Sequence, residues 1–426
     1  MYVHANNTPT KARIIHFQRG VVHGTFRNRS FVRSFTLKVG VTRIRRIGGH
    51  ISDPRKSASL PRPRTTDMRD ASDALTEAEH EVYDRQIRVW GLDTQQRISK
   101  ARVLVSFVNP RGVEHAEEES SSWTRPAVGL ASETAKNVVL AGCGAVTLRD
   151  DDGERSWRDT FGKDGNFLNL DVAEDADANR TLVENMALTL AEMNPFGTVV
   201  GECAGASASG RFLSDESVDY FKKFDVVVAV GYDVASAEKI NALCREAGCG
   251  FFGGFNGASS AWFFTDLGDA HEYVAASGKT SEGAATETVT FRSLARALRE
   301  SDGNDWRTLP KRAPKLPLAF FVVAEHERRA GRRARREDEA MLNELRVELA
   351  RAHGAKDDAC PIEAVRAMCE PTMEIPAIAA IVGGVLAQEV LKAVTRRGVP
   401  SVNSFYFDVA SGQGFVHDLG GTSDDQ

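Results

Sequence analysis

Several features are scarce or missing in this 426-residue chain, and each absence removes a class of function. There are six cysteines, Cys143, Cys203, Cys244, Cys249, Cys360 and Cys369, and no two of them form a C-x-x-C pair. Cys244 and Cys249 are separated by four residues, with no second pair to complete a tetrahedral set, so no structural zinc is expected. The irregular spacing points to reduced, intracellular thiols. None stands in a nucleophile context with a base beside it, so no catalytic cysteine and no metal site are expected. No apolar run approaches the ~20 residues of a membrane span, which leads us to expect a soluble chain with no membrane role. Glutamate is absent from residues 1–67, which hold 14 Lys and Arg against 2 acidic residues and leave 40 against 57 for the rest. A body so acidic lacks the positive field that phosphate-backbone recognition requires, so nucleic acid is not an expected partner.

The Arg-rich segment 1–67 has the composition of an organelle transit peptide. Met68, however, opens the acidic helical lead MRDASDALTEAEHEVYDRQIRVWG, which favours a basic extension that is disordered or the product of an over-extended gene model. The body divides into 68–274, a weakly periodic linker or insertion at 275–311 rich in Ala, Ser, Gly, Thr and Glu, a second part at 312–420, and a tail at 421–426.

What is present is the pattern of an α/β domain. Ala101-Arg102-Val103-Leu104-Val105 reads as a buried parallel strand, ETAKNVVLAG as the helix behind it, and Ala145 to Leu148 as the next strand, running into Arg149-Asp150-Asp151-Asp152. A glycine-rich phosphate turn is due between the first strand and that helix. Instead some 20 polar residues, from Phe107 to Val128, interrupt it, as a surface insertion or as translated intron sequence, the latter being favoured. Leu182 to Pro195 is an amphipathic helix stopped by proline, and Phe224 to Gly231 is another buried strand. Gly250 to Gly254 with Ala261 to Gly268 reads as a strand and hairpin. Arg328 to Arg336 packs six arginines into nine positions, a solvated helix face or loop more readily than a nuclear-import signal. Pro376 to Lys392 is helical and apolar nearly all round, hence buried. Its Gly383 and Gly384 each cost about 1 kcal/mol of helix propensity, so close packing is expected at both.

Tyr83-Asp84-Arg85-Gln86-Ile87-Arg88-Val89-Trp90-Gly91, together with AKNVVLAG, KLPLAFF, VGGVLAQEVLKAV and SFYFD, resembles the adenylation domain of the E1 family. That family takes in the activating enzymes of ubiquitin-like proteins and their bacterial ThiF and MoeB relatives. The resemblance implies a Rossmann-like E1/ThiF fold, a mostly parallel sheet flanked by helices with an inserted segment. Within the family it points to the small subunit of the heterodimeric SUMO-activating enzymes, a pseudo-enzyme half inactive alone. By that resemblance ATP and Mg²⁺, the zinc and the nucleophilic cysteine belong to the large subunit, with SUMO as substrate and the SUMO E2 an indirect partner. Arg85 would reach in trans to the ATP in the partner, a task suited to a planar, permanently charged fork. Tyr83, Gln86, Arg88, Trp90, Gly383, Gly384 and Gln388 would form the interface and its scaffold. Asp150 lies near where an active half binds ribose or metal. The implied location is the nucleus, with the cytoplasm as an alternative.

Other readings follow from the same residues. Arg85 and Arg88 could be ordinary solvated charges on an amphipathic helix. The NEDD8-activating subunit carries a larger insertion than Gly268 to Pro310 supplies, a MoeB-like homodimer needs an intact glycine loop, and a nicotinamide-dependent oxidoreductase needs a fingerprint that is missing here. A scaffold with no effect on catalysis is a further alternative.

Overall fold

The computed structural model describes residues 14–15, 75–108, 128–151, 156–157, 167–168, 180–204, 213, 216–257, 260–275, 285–299, 306, 315–332, 334–369 and 374–419. All of them belong to one unit, formed by 1–15 together with 75–426. In chain order the elements are β1 (Ile14–Ile15), α1 (Glu77–Trp90), α2 (Leu92–Lys100), β2 (Arg102–Phe107), α3 (Val128–Leu140), β3 (Ala145–Asp150), α4 (Leu182–Met193), β4 (Thr198–Cys203), α5 (Val218–Phe221) and β5 (Val226–Val230). There follow α6 (Val234–Ala247), β6 (Gly250–Asn256), β7 (Ser260–Asp266), β8 (His271–Val274), β9 (Thr286–Val289), α7 (Leu294–Arg299), α8 (Leu316–Ala330), α9 (Glu339–Ala352), α10 (Ile362–Cys369), α11 (Pro376–Thr395), β10 (Ser404–Asp408) and β11 (Gln413–His417).

Local chemistry fixes the helix starts. Thr76 accepts the Glu79 amide at 3.3 Å while the Glu79 carboxylate accepts the Thr76 amide at 2.9 Å, and Thr181 with Glu184 repeats the arrangement at α4. Asp233 caps α6, which ends on the left-handed Gly248. The strands form a nine-stranded sheet in the order β1-β11-β10-β7-β6-β5-β2-β3-β4. Its central run β6-β5-β2-β3-β4 is wholly parallel, and β7, β10, β11 and β1 extend it antiparallel. The α/β expectation therefore holds, with the antiparallel strands at one side.

Strand alternation sorts the core into two layers. Leu104, Val227, Phe251, Phe264 and Tyr406 join one cluster with Ile240 of α6, Leu318 and Val322 of α8 and Leu342 of α9. The opposite face is covered by α3 and α11, which pack against each other and on β5 and β6. Because the chain crosses from β2 to β3 on one side and later returns to β5 on the other, the topological switch point lies at the C-terminal ends of β2 and β5.

Four segments differ from the expectation or fall beyond the described residues. Ile14 and Ile15, within the segment read as an appendage, pair antiparallel with β11. Within 275–311, expected as a linker or insertion, Thr286–Val289 pairs with β8 and Leu294–Arg299 is helical, with Leu294 and Ala297 buried. The apolar helix α11 runs on to Thr395 and is long and apolar enough to cross a membrane. That test is also passed by the core helix of a globular domain, and α11 buries its Ile378, Val382, Leu386 and Val390 face inside this unit. The expected interruption of the phosphate turn lies for the most part, at 109–127, outside the described residues.

Burial sets an acid limit on this fold. His271 and His417 are pushed down to about 4 by burial, with Arg396 adding to the effect at His271, while burial pushes Asp418 up to about 6 against the pull of Arg292. Between pH 6.5 and 4 the unfolded chain takes up two histidine protons that the folded chain refuses. Asp418 acts oppositely between 3.8 and 6, because there the folded state holds the proton. The two histidines outweigh the one aspartate, so stability should fall as pH drops from 6.5 to 4. Thermal melts across that range should show the decline, and the double variant H271Q/H417Q should flatten or invert it.

Candidate functional site

Helix α1 is held from inside. Tyr83 is 1% exposed, and its hydroxyl accepts from Asn194 Nδ2 at 2.7 Å, while the same amide donates to the Val139 carbonyl at 2.6 Å. One side chain thereby ties α1, the end of α3 and the end of α4. Gly142, at φ 94, leaves the space, since a Cβ there would sit 2.7 Å from Tyr83 Cζ. Gln95 Nε2 donates to the Ala141 carbonyl at 2.9 Å and its Oε1 accepts from Trp90 Nε1 at 3.3 Å. Arg397 reaches both the Trp90 carbonyl and Thr94 Oγ1, joining the end of α11 to the α1–α2 corner. Tyr83 and Trp90 therefore act within this subunit. The Tyr83 ring is buried within this chain and meets the Phe196 ring edge-on.

The outer face of α1 differs. Arg85 is exposed, and no hydrogen bond or ion pair of its side chain exists among the described residues. Val82 and Val89, 61% and 77% exposed, lie three residues before and four after it, hence on the same face. Arg88 instead bonds Asp84 on its own helix at 3.0 Å, a solvent-exposed pair worth little to stability. Gln86 is half-buried, and its Oε1 has no hydrogen-bond partner. The Arg85 guanidinium thus lies between two exposed valines, open to solvent.

On α11 the two adjacent glycines have different tasks. A Cβ on Gly383 would lie 2.6 Å from Glu133 Cβ and 3.2 Å from the Thr134 amide, so its bare backbone lets α11 close on α3. A Cβ on Gly384 would meet nothing within 4 Å, so no contact within this chain requires a glycine there. Gly384 shares the outward side of the helix with the exposed Ala377, Ile381 and Gln388.

At the C-terminal ends of β2, β3 and β5, where a doubly wound sheet takes its ligand, side chains of this chain bond one another. Tyr232 donates to Asp151 Oδ2 at 2.8 Å and shares a 2.5 Å hydrogen bond with Ser106 Oγ. Arg149 Nε binds Asp151 Oδ1 at 2.6 Å and its Nη2 binds Glu216 at 2.7 Å, with the Tyr220 ring 5.0 Å below the guanidinium. Burial raises the Asp151 carboxyl, opposed by the charge of Arg149; burial also opposes the charge on Arg149, and Asp151 outweighs it. Asp150 beside them is fully buried. Among the described residues Ser106, Arg149, Asp151 and Tyr232 thus satisfy one another, and spacing did not single out Asp151, Ser106 or Tyr232. Among the described residues no cluster of three or more His, Cys, Asp or Glu is placed to hold a metal.

Five of the six cysteines are buried. Burial pushes the thiols of Cys143 and Cys360 up to about 12 and raises that of Cys244 as well, opposite to what a nucleophile needs. In the arginine-rich run Arg328, Arg329 and Arg332 are ion-paired within the chain. Arg329 forks onto Glu348 at 2.8 and 3.2 Å, and Arg332 forks onto Asp338 at 2.7 Å through both nitrogens.

No protein-family model matches the chain. Among curated proteins, it is 33% identical over 353 residues to SUMO-activating enzyme subunit 1B-1 of Arabidopsis thaliana, a match covering 82% of this chain and 98% of that protein. It is 26% identical to SUMO-activating enzyme subunit 1 of Dictyostelium discoideum, covering 83% and 97% of the two, and 28% identical to that of Xenopus laevis, covering 81% and 97%.

The two glycines should separate experimentally. Gly384→Ala should stabilise the isolated chain by up to about 1 kcal/mol through helix propensity. Gly383→Ala should destabilise it by about 1–3 kcal/mol, since the new methyl must force α11 off α3. Urea denaturation of the two variants measures both, and equal effects would contradict the assigned packing.

Proposed function

Because the chain belongs to the SUMO-activating enzyme subunit 1 family, we propose that it works as the half of an E1 heterodimer that lends Arg85 to a nucleotide held by the larger subunit. The observation that carries this reading is the state of Arg85: exposed, unpaired among the described residues, and mounted on a helix fixed by the buried Tyr83–Asn194 bond. Arg329 and Arg332, by contrast, fork onto carboxylates of their own chain.

The reaction is attack by the terminal carboxylate of SUMO on the α-phosphorus of ATP, with pyrophosphate leaving and Mg²⁺ neutralising phosphate charge. Little covalent help is needed from protein groups, so charge placed in advance is the main contribution. Arg85 supplies such a charge without paying for reorganisation, since α1 cannot shift without breaking the Tyr83 anchor. Val82 and Val89 would seat the helix on apolar surface either side of it. The outward side of α11, with Ala377, Ile381, Gly384 and Gln388, would be a second pairing surface. The residues at this chain's own strand ends do not fit a nucleotide, because Arg149, Asp151, Ser106 and Tyr232 already bond one another there. The buried, weakly acidic thiols fit a chain that is inactive alone and leaves thioester formation to the larger subunit.

Reconstitution with a large SUMO-E1 subunit and SUMO tests the proposal by ATP-pyrophosphate exchange. Exchange should require both chains. Arg85→Ala should lower it about 100-fold, the usual cost of one preorganised charged donor, while Arg88→Ala changes it little. Co-elution of the pair should survive Arg85→Ala. Unchanged exchange would reduce the chain to a scaffold. Gly384→Leu, whose Cβ would meet nothing within 4 Å in this chain, should weaken co-elution if α11 is a pairing surface.

A further inference from the structure

The last carbonyl of α1 is capped from the far end of the chain. Trp90 closes the helix, and Gly91, at φ 93, turns the backbone so that α2 starts at once on Leu92. The Trp90 carbonyl accepts Thr94 Oγ1 at 2.7 Å and also Arg397 Nη1, and the same guanidinium nitrogen donates to Thr94 Oγ1 at 3.0 Å. A cation there meets carbonyls that a helix leaves without intrahelical donors, at the negative end of its dipole. Arg397 is held in turn by its neighbours. Val274 of β8 donates its amide to the Arg396 carbonyl, and Gly398 donates to the Val274 carbonyl, each at 2.9 Å. Arg97 Nη1 adds a bond to the Thr395 carbonyl at 2.9 Å. Between these ties Arg396 takes a left-handed conformation, φ 54, which a residue with a Cβ keeps only where its surroundings over-determine it. Arg85 stands between two anchors of α1, two residues after Tyr83 and five before Trp90. Tyr83 fixes where the helix lies; Trp90, about 10 Å further along at ~1.5 Å per residue, fixes its direction.

We propose that Arg397 is a positioning residue for Arg85, holding the direction of α1 so that the Arg85 guanidinium is aimed before the two subunits meet. The inference rests on the reading of Arg85 given above and adds to it a residue that acts only through α1. Trp90 and Arg397 lie 307 residues apart, so the platform for Arg85 is complete only once the segment after α11 is seated on β8. One nitrogen of Arg397 serves both oxygens. A lysine ammonium, with three donors, can take its place, whereas a glutamine amide brings no charge to the helix end.

A double-mutant cycle on ATP-pyrophosphate exchange by the reconstituted heterodimer tests it. Arg397→Gln should lower exchange at saturating ATP about tenfold, with the KM for SUMO changed less than about twofold, as misplacement of a preset charge does. Arg397→Lys should recover most of that loss. Arg396→Gln removes the same charge one residue away and should leave exchange at the wild-type level. In an Arg85→Ala background Arg397→Gln should cause no further loss, because no guanidinium is left to aim. A loss that persists undiminished in that background would overturn the proposal, as would an equal loss in Arg396→Gln. Unchanged exchange in Arg397→Gln while Arg85→Ala is impaired would overturn it and leave the reading of Arg85 standing. Unchanged exchange in both would remove the two together, so the failures are told apart. Should Arg397→Gln not fold or not co-elute with the large subunit, Thr94→Val takes out the shared hydroxyl with the guanidinium in place, and the same cycle with Arg85→Ala decides by the same outcomes.

Discussion

The hydrogen bond from Asn194 to the buried hydroxyl of Tyr83 is the constraint on which the exposed chemistry depends. Asn194 ends α4, and its second bond goes to the Val139 carbonyl at the end of α3, so α1 is referenced to two helices that lie on the sheet. The room for the tyrosine ring comes from the missing side chain of Gly142. Without this knot α1 would be a capped surface helix with no fixed orientation on the sheet. With it, Arg85 is presented from a fixed platform, and the entropy of orienting the helix has been spent during folding instead of on association.

Gly383 of α11 and Gly129 of α3 together show how this unit uses close approach. At Gly383 backbone meets backbone, and at Gly129 backbone meets carboxylate. Both contacts involve α3, so that helix is fixed at its start by Glu374 and along its length by α11. Membership of the SUMO-activating enzyme subunit 1 family fits a division in which the buried side of α11 serves the fold and its outward side is left free.

Much of the fold was legible from local pattern. The apolar strand Val103 to Val105, the Thr-x-x-Glu capping boxes and the helix closed by Asn194-Pro195 depend on neighbours in sequence, and those neighbours decide them. The site was legible only where a motif was contiguous. Tyr83 and Arg85 stand two apart in one helix, yet one is buried and the other exposed, a distinction that requires knowing which side of α1 faces Asn194. Gly383 and Gly384 were indistinguishable for the same reason of helix phase. Glu374 was invisible because its partners, the Gly129 and Leu130 amides, lie 245 and 244 residues away, and an acidic residue before Pro376 reads as nothing more than a surface charge at a helix start. Asp151 escaped notice because its neutralising contacts come from three separate segments.

The sheet order also bears on how the chain can be made. Strand β7 carries Ala261-Trp262-Phe263-Phe264 and is flanked by β6 on one side and β10 on the other, while β10 begins only at Ser404. During synthesis about 140 residues must therefore emerge after β7 before its outer edge can be covered. Over that interval the nascent chain displays an aromatic strand edge of the kind that recruits other chains, and premature termination would leave it permanently open. The quality of this protein in a cell is thus tied to completion of its last few strands, and a chaperone that shields the unfinished edge would matter more to its yield than to its final stability.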